Sequence, residues 1–300
     1  MVRLGASADI PSEHPPFWGP SQVSERSILR ALHKRNIRFR KLREKPALTD
    51  DDVKARWKFA KKYHKKSRAW WVSHVHASID GKCFQVYLNH AQRVRAAQHA
   101  TFGAYRAPGK GLTAGYVKPK KSLKTGKKKN LLVIAAVGAS KVLMWHAVPT
   151  GRWSGQAAAD VYSGPLKKAL GAECPQKRKH VVLEDNDPTG FKSTKGEAAK
   201  KASKIEVFAI PKRSPDLNVL DYAVWKEVNR RLRQQEKSWP SEKRETREAY
   251  KARLQRTAKN LPKEFIVNSI GDMRRRCQRL LKAKGHFFEE GGGGATSERP

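Results

Sequence analysis

The apolar positions change period along the chain, and each change marks out an element. Residues 131–138, LLVIAAVG, form an unbroken aliphatic run, and KVLMWHAVP at 141–149 follows after Ala139 and Ser140, which predicts a hairpin of two buried strands. HVVL at 180–183 and IEVFAIP at 205–211 predict two further short strands. WWVSHVHASI at 70–79 alternates large apolar with small or polar residues. It predicts an earlier strand that ends at the turn pair Asp80-Gly81 and leads into a second one, CFQVYL.

Helical spacing fills the gaps. Thr49–Lys66 opens with Thr49 and three acids, Asp50, Asp51 and Asp52, at its positive end. Ser154–Leu170 carries Ala158, Val161, Leu166 and Leu170 at helical intervals, and Thr194-Lys195-Gly196-Glu197 reads as a capping box for another helix. SPDLNVLDYAVWKEVNRRLRQQ at 214–235 is a long amphipathic helix with the stripe Leu217, Leu220, Val224, Val228 and Leu232. Strands and helices in this order call for an α/β fold, a mixed sheet covered by helices.

The ends differ from the middle. Pro11, Pro15, Pro16 and Pro20 describe a loose leader, and Ser24 with Ile28, Leu29 and Leu32 starts a basic helix. That helix reads equally as the remnant of a helix-turn-helix or as a basic surface helix. Beyond Glu236 come helical stretches at Glu245–Lys259 and in FIVNSIGDMRRRCQRLLKAKG, then the low-complexity ending GGGGATSERP. The expected division is 1–45 leader and remnant DNA-reading region, 46–69 linker helix, 70–236 main domain with a basic insert at 106–130, 237–289 helical segment and 290–300 disordered tail.

Charge narrows the class of partner. Lys plus Arg number 64 against 27 Asp plus Glu, a formal net charge of +37, which repels itself unless a polyanion neutralises it. DNA or RNA fits; a ribosomal-type structural protein or a merely basic surface remains the plainer alternative. The insert contains no acid, and its Lys118, Lys120, Lys121, Lys127, Lys128 and Lys129 are the expected DNA contacts, which also have the look of a nuclear address. The apolar runs are too short to span a bilayer and no signal core is visible, so an intracellular protein is expected. Cys83, Cys174 and Cys277 form no CxxC pair, which indicates neither disulfides nor a zinc site.

Three acids occupy unusual positions. Asp80 and Asp185 each follow a buried strand, and Asp221 interrupts the apolar face of the long helix. A carboxylate in such surroundings is costly unless paired or bound to metal. Hard oxygen ligands suit Mg²⁺ or Mn²⁺, and two such ions about 4 Å apart serve phosphodiester chemistry. Singly, each acid also has an ordinary reading: a strand-end turn, an Asx turn, an exposed helix face. Asp187 and Asp216 suit structural work, the latter as an N-cap, while Asn186 and Asn218 are placed to orient ligands from behind. His74 and His76 would share a strand face but read as satisfied strand histidines. Trp70, Trp71, Trp145 and Trp225 read as core, with stacking on an extruded base as the other option.

HVVLEDNDPTGFKS followed by PKRSPDLNVLDYAVWKEV resembles the paired blocks of mariner-superfamily transposases, where Asp-Asn after a strand and Ser-Pro-Asp-Leu-Asn before the third acid are the hallmark. ALTDDDVKARWKFAKKY, SIDGKCF and LPKEFIVNSIGDMRRRCQRLLKAKGHFFE extend the resemblance over about residues 46–289. It implies a ribonuclease H-like catalytic domain with helical N- and C-terminal extensions, with Asp80, Asp185 and Asp221 as catalytic metal ligands for two Mg²⁺ or Mn²⁺ ions. It further implies a homodimer acting on double-stranded DNA, cutting transposon ends and transferring the freed 3′-hydroxyl to target DNA; the expected location is the nucleus, or the nucleoid for a bacterial source. Two features depart from the family: Gly81 stands where Glu is frequent, and the DNA-reading region is reduced. A silent or domesticated transposase that only binds DNA is the alternative.

Overall fold

The computed structural model describes residues 24–41, 43–86, 103–112, 117–119, 130–240 and 242–288. Its centre is a five-stranded sheet. The strands are β3 (Ala77–Gln85), β6 (Asn130–Val137), β7 (Val142–Ala147), β8 (His180–Glu184) and β9 (Ile205–Ala209), in the spatial order β7-β6-β3-β8-β9. β3, β6 and β7 form an antiparallel meander, and β8 and β9 add on in parallel beside β3.

Period-two alternation explains why β6 is apolar throughout. Leu131, Val133, Ala135 and Val137 enter one core while Leu132, Ile134 and Ala136 enter the other, because helices cover both faces of the sheet. On the second face lie α4 (Gly155–Val161), a π turn (Tyr162–Leu166), α5 (Lys167–Glu173) and α6 (Thr194–Ala202), supplying Ala158, Val161, Tyr162, Leu166 and Leu170. The first face receives α7 (Trp225–Glu236), α8 (Arg247–Lys259), α9 (Lys263–Gly271) and α10 (Met273–Lys282), with Leu220, Val224, Val228, Leu232, Leu254, Ile266 and Leu280 all buried. The last three helices therefore share the core of the sheet.

At the N-terminal side, α1 (Glu25–Lys34) is capped by Ser24 as expected and buries none of its residues. α2 (Asp50–Tyr63) begins with the Thr49–Asp52 capping box and packs on α10. β1 (Arg38–Lys41) pairs with β4 (Gly103–Arg106), and β2 (Arg43–Lys45) pairs with β5 (Val117–Pro119). So β4, which runs into the insert, and β5 within it pair with the segment ahead of α2. Lys118 lies in β5, and Lys120, Lys121, Lys127, Lys128 and Lys129 lie outside the described residues, as do the leader and the tail.

Several local expectations change. Residues 68–74 form a helix, α3, capped by Ser67, in place of the first part of a strand. Trp71 drops into the core from it while His74 stacks on Trp70. The alternation at 70–79 mimicked a strand because a short amphipathic helix leads directly into a true strand. His74 and His76 consequently share no strand face; His76 Nδ1 instead accepts the Val181 N–H at 2.8 Å. β3 runs unbroken through Asp80-Gly81, since Gly81 pairs with Ile134 inside the β6 ladder. The N-cap of α6 is Ser193, one residue earlier than the capping box suggested. The 214–235 segment is a 3₁₀ turn (Pro215–Leu217), a π turn (Leu220–Val224) and then α7. FIVNSIGDMRRRCQRLLKAKG divides into α9 and α10 at Asp272.

Candidate active site

Asp80 sits near the middle of β3, opposite Ala135 of β6. Carrying the β3–β8 register on from Ser78 opposite Leu183 brings Asp80 level with Asp185, the residue that follows β8. Residues level with each other on parallel neighbours share a face. Leu183 belongs to the α7–α10 core, so Asp80 and Asp185 turn to that side, while Ile79 and Glu184 turn to the other.

Asp221 comes from the helix that crosses this face. One turn beyond it, the Trp225 indole N–H donates to Asp80 Oδ2 at 2.7 Å. One turn before it, Asn218 Nδ2 donates to the Ile79 carbonyl at 3.3 Å, and Asn218 Oδ1 accepts the Leu220 N–H at 3.1 Å. These two contacts lock the π turn to β3 on either side of Asp221. A π turn inserts one residue into a helix and re-aims the side chains it carries, which is why such turns recur at functional sites. Asp221 is exposed, unlike the buried Val224 and Trp225 that follow.

The electrostatics register the convergence. Burial pushes the Asp80 carboxyl well above the usual carboxylate range; the neighbouring Asp221 charge pushes it further, and Asp185 adds to this, against the opposing Trp225 hydrogen bond. Burial also raises Asp185, against the hydrogen bond that the Asp187 N–H donates to Asp185 Oδ1 at 3.1 Å. Asp187 itself accepts from the Thr189 and Gly190 N–H groups, the turn role expected of it. Among the described residues no group of three or more His, Cys, Asp or Glu side chains is arranged to hold a metal ion as it stands. The donor chemistry nevertheless suits a hard divalent cation: all three are carboxylates, and such an ion would offset both the burial and the neighbouring negative charge that raise Asp80. Asn186 donates to the Ile210 carbonyl, joining the ends of β8 and β9 beside Asp185. Trp71, Trp145 and Trp225 are buried in the core, Trp225 serving in addition as the Asp80 partner.

Two buried ion pairs support the site, and neither was visible as a pair in the sequence. Arg56 of α2 grips Asp216 with both ends of its guanidinium, at 2.7 and 2.6 Å, and also donates to Ser214 Oγ and the Gly285 carbonyl. Asp216 is thus a buried counter-ion, 2% exposed, and not an N-cap, because the chain forms a 3₁₀ turn there instead of a continuous helix. On the opposite face, Glu184 is fully buried against Lys200 Nζ at 2.6 Å and the Tyr162 hydroxyl. Gly196, one turn before Lys200, was the available signal: a Cβ there would lie 2.5 Å from the Gly190 carbonyl, so that side of α6 faces inward.

A five-stranded mixed sheet of this order, flanked by helices, is a ribonuclease H-like fold. Solved structures of the Mos1 mariner transposase share it. The chain is 18% identical to the Mos1 paired-end complex with Mg, TM-score 0.62, the match covering 89% of this chain and 73% of that one. A pre-cleavage Mos1 transpososome gives 18% identity and a TM-score of 0.61 over the same shares of the two chains, 89% and 73%. The Mos1 catalytic domain alone gives 15% identity and a TM-score of 0.52, covering 82% of this chain and 99% of that one. At these identities the likeness is one of fold. No family model matches the chain, and no curated protein matches it by sequence.

Proposed function

We propose that the chain is a DNA transposase of the mariner type, an endonuclease that uses divalent metal to hydrolyse phosphodiester bonds at element ends and to join the freed 3′-hydroxyl to target DNA. The observation that supports this reading is the register that sets Asp80 level with Asp185 on the sheet face crossed by the turn carrying Asp221. The fold shared with Mos1 structures, whose descriptions include transposon ends, Mg and Mn, supports it.

In this reading the three aspartates would hold two Mg²⁺ or Mn²⁺ ions, which would lower the pKa of the attacking hydroxyl and stabilise charge on the leaving oxygen. The remaining work belongs to the protein. Trp225 fixes one oxygen of Asp80, the turn at Asp187 fixes Asp185, and Asn218 sets the height of Asp221 over β3. Asn186 steadies the end of β8. Lysines of the 106–130 segment hold DNA backbone, and two copies act together in the nucleus so that two ends are handled at once.

The test is nicking of supercoiled plasmid by the purified chain in Mg²⁺, Mn²⁺ or chelator, with Asp185→Ala and Asp221→Ala alongside. Metal-dependent nicking that both substitutions abolish is expected. Tight DNA binding with no nicking in either metal would overturn the enzymatic reading and leave a silent, DNA-binding relic.

A further inference from the structure

A groove of about 640 Å³ opens beside the candidate site between α3, the π turn, α9 and the start of α10. Tyr222 and Ala223, the residues immediately after Asp221, form part of its lining, so it borders the π turn that carries Asp221. Four arginines are among its other lining residues: Arg68, Arg274, Arg275 and Arg276. The one carboxylate among the lining residues, Asp272, lies 3.1 Å from Arg276 Nε. Arg276 is buried and spoken for, donating to the Asp216 carbonyl at 3.0 Å with its guanidinium 3.6 Å from the centre of the Tyr222 ring. Arg68 donates to Asn268.

Arg274 and Arg275 differ. Both are exposed, and neither forms an ion pair among the described residues. Their two charges are balanced by no carboxylate among the described residues, and the planar fork of arginine suits the oxygens of a phosphodiester. A second basic groove, between α7 and α8, is more nearly balanced: its Arg231 already holds Glu227 and its Arg253 holds Glu236 and Glu245, which leaves Arg256 as its one arginine without an ion pair among the described residues.

We infer that the groove between α3, α9 and α10 holds the sugar-phosphate backbone of duplex DNA beside the candidate acids, with Arg274 and Arg275 as phosphate contacts. This rests on the DNA-cutting reading above and adds to it a surface for the DNA backbone. Arg68 extends that surface on the α3 side, anchored by Asn268.

The experiment measures binding of a labelled duplex by the full chain in chelator, as a function of salt. Each phosphate contact contributes about 0.9 to the slope of log affinity against log salt. Arg274→Ala/Arg275→Ala should lower that slope by about 1.8, and should weaken binding at 0.1 M salt by tens of fold. Lys167→Ala/Lys168→Ala, which removes the same charge from α5 across the sheet, should leave the slope near wild type. Arg274→Lys/Arg275→Lys should restore most of the slope. Both arginines are exposed, so the alanine variant should melt with the wild type.

Equal slopes for the alanine variant and wild type would overturn the inference, as would an equal loss in the α5 variant or tighter competition by single-stranded RNA. Plasmid nicking separates this from the parent reading. A wild type that nicks while the slopes coincide sinks the groove alone; a wild type that never nicks while the slopes differ sinks the enzymatic reading and leaves the groove as a DNA site.

Discussion

Arg56→Ala tests whether the Ser-Pro-Asp-Leu-Asn block is held by α2. Arg56 is 0% exposed and its partner Asp216 is 2% exposed, so water cannot replace the lost contact. The substitution removes two charge-assisted hydrogen bonds of 2.7 and 2.6 Å to Asp216 and the donors to Ser214 Oγ and the Gly285 carbonyl, both at 2.8 Å. It also strips the guanidinium from the Phe287 ring, 4.8 Å away. Leaving one member of a buried pair alone costs about 3–5 kcal/mol, chiefly through the stranded charge. For a chain of this size that is a fall of roughly 6–20 °C in melting temperature. Thermal and urea melts followed by tryptophan fluorescence read it directly. Arg56→Met/Asp216→Leu should recover most of the loss, because a well-packed apolar pair replaces a buried ion pair at little net cost. If Arg56→Ala costs under about 1 kcal/mol, the charge at Asp216 is not buried in solution and the proposed anchoring of the block fails.

Two further outcomes follow from buried charge. Asp80→Asn should stabilise the metal-free protein at neutral pH by several degrees while abolishing metal-dependent nicking, because burial, Asp221 and Asp185 all disfavour the Asp80 anion. The sign fixes the pH dependence: a folded-state pKa above the ordinary 3.8 means the folded form holds its proton longer than the unfolded one. The advantage of Asp80→Asn should therefore be full above the raised pKa and shrink as pH falls from there toward 3.8, which melts across a pH series would show. A constant or growing advantage on acidification would refute the assignment. Lys200→Met should destabilise the fold by about 3–5 kcal/mol by stranding Glu184, and Glu184→Gln in the same chain should recover much of that; urea unfolding of the two variants measures both, and a mild loss in the single variant would show that Glu184 is already protonated.

The strand at 131–137 was legible because it is buried on both faces, and continuous aliphatic runs have few other uses; those at 142–147, 180–184 and 205–209 were marked by short runs rich in β-branched and aromatic residues. The run at 70–79 misled because its helix is only seven residues long, too short for the 3.6-residue period to show against the strand that follows. The same error set Asp80 at a strand end. Sequence shows Asp-Gly as a turn pair, whereas in the sheet Gly81 takes an ordinary ladder position opposite Ile134. Ion pairs such as Arg56 with Asp216 join residues distant in the chain, and no local period encodes them.

The candidate acids show how the two kinds of information combine. Their identities stood out locally, as carboxylates beside apolar runs, and the Ser-Pro-Asp-Leu-Asn block supplied a resemblance that tied them together. Their convergence is a property of topology: only the parallel placement of β8 beside β3 sets Asp185 level with Asp80. Only the break between the 3₁₀ turn and the π turn lets Asn218 reach Ile79 while Trp225 reaches Asp80. A continuous helix from Pro215 to Gln235, as the stripe suggested, would carry Asn218 and Trp225 seven residues apart on one face, two full turns along the axis. The 3₁₀ turn at Pro215–Leu217 alters that relation by ending at Asn218 in an extended conformation, with ψ 119°, before the helix restarts. The irregularity that sequence periodicity smoothed over is thus the feature that aims the third acid.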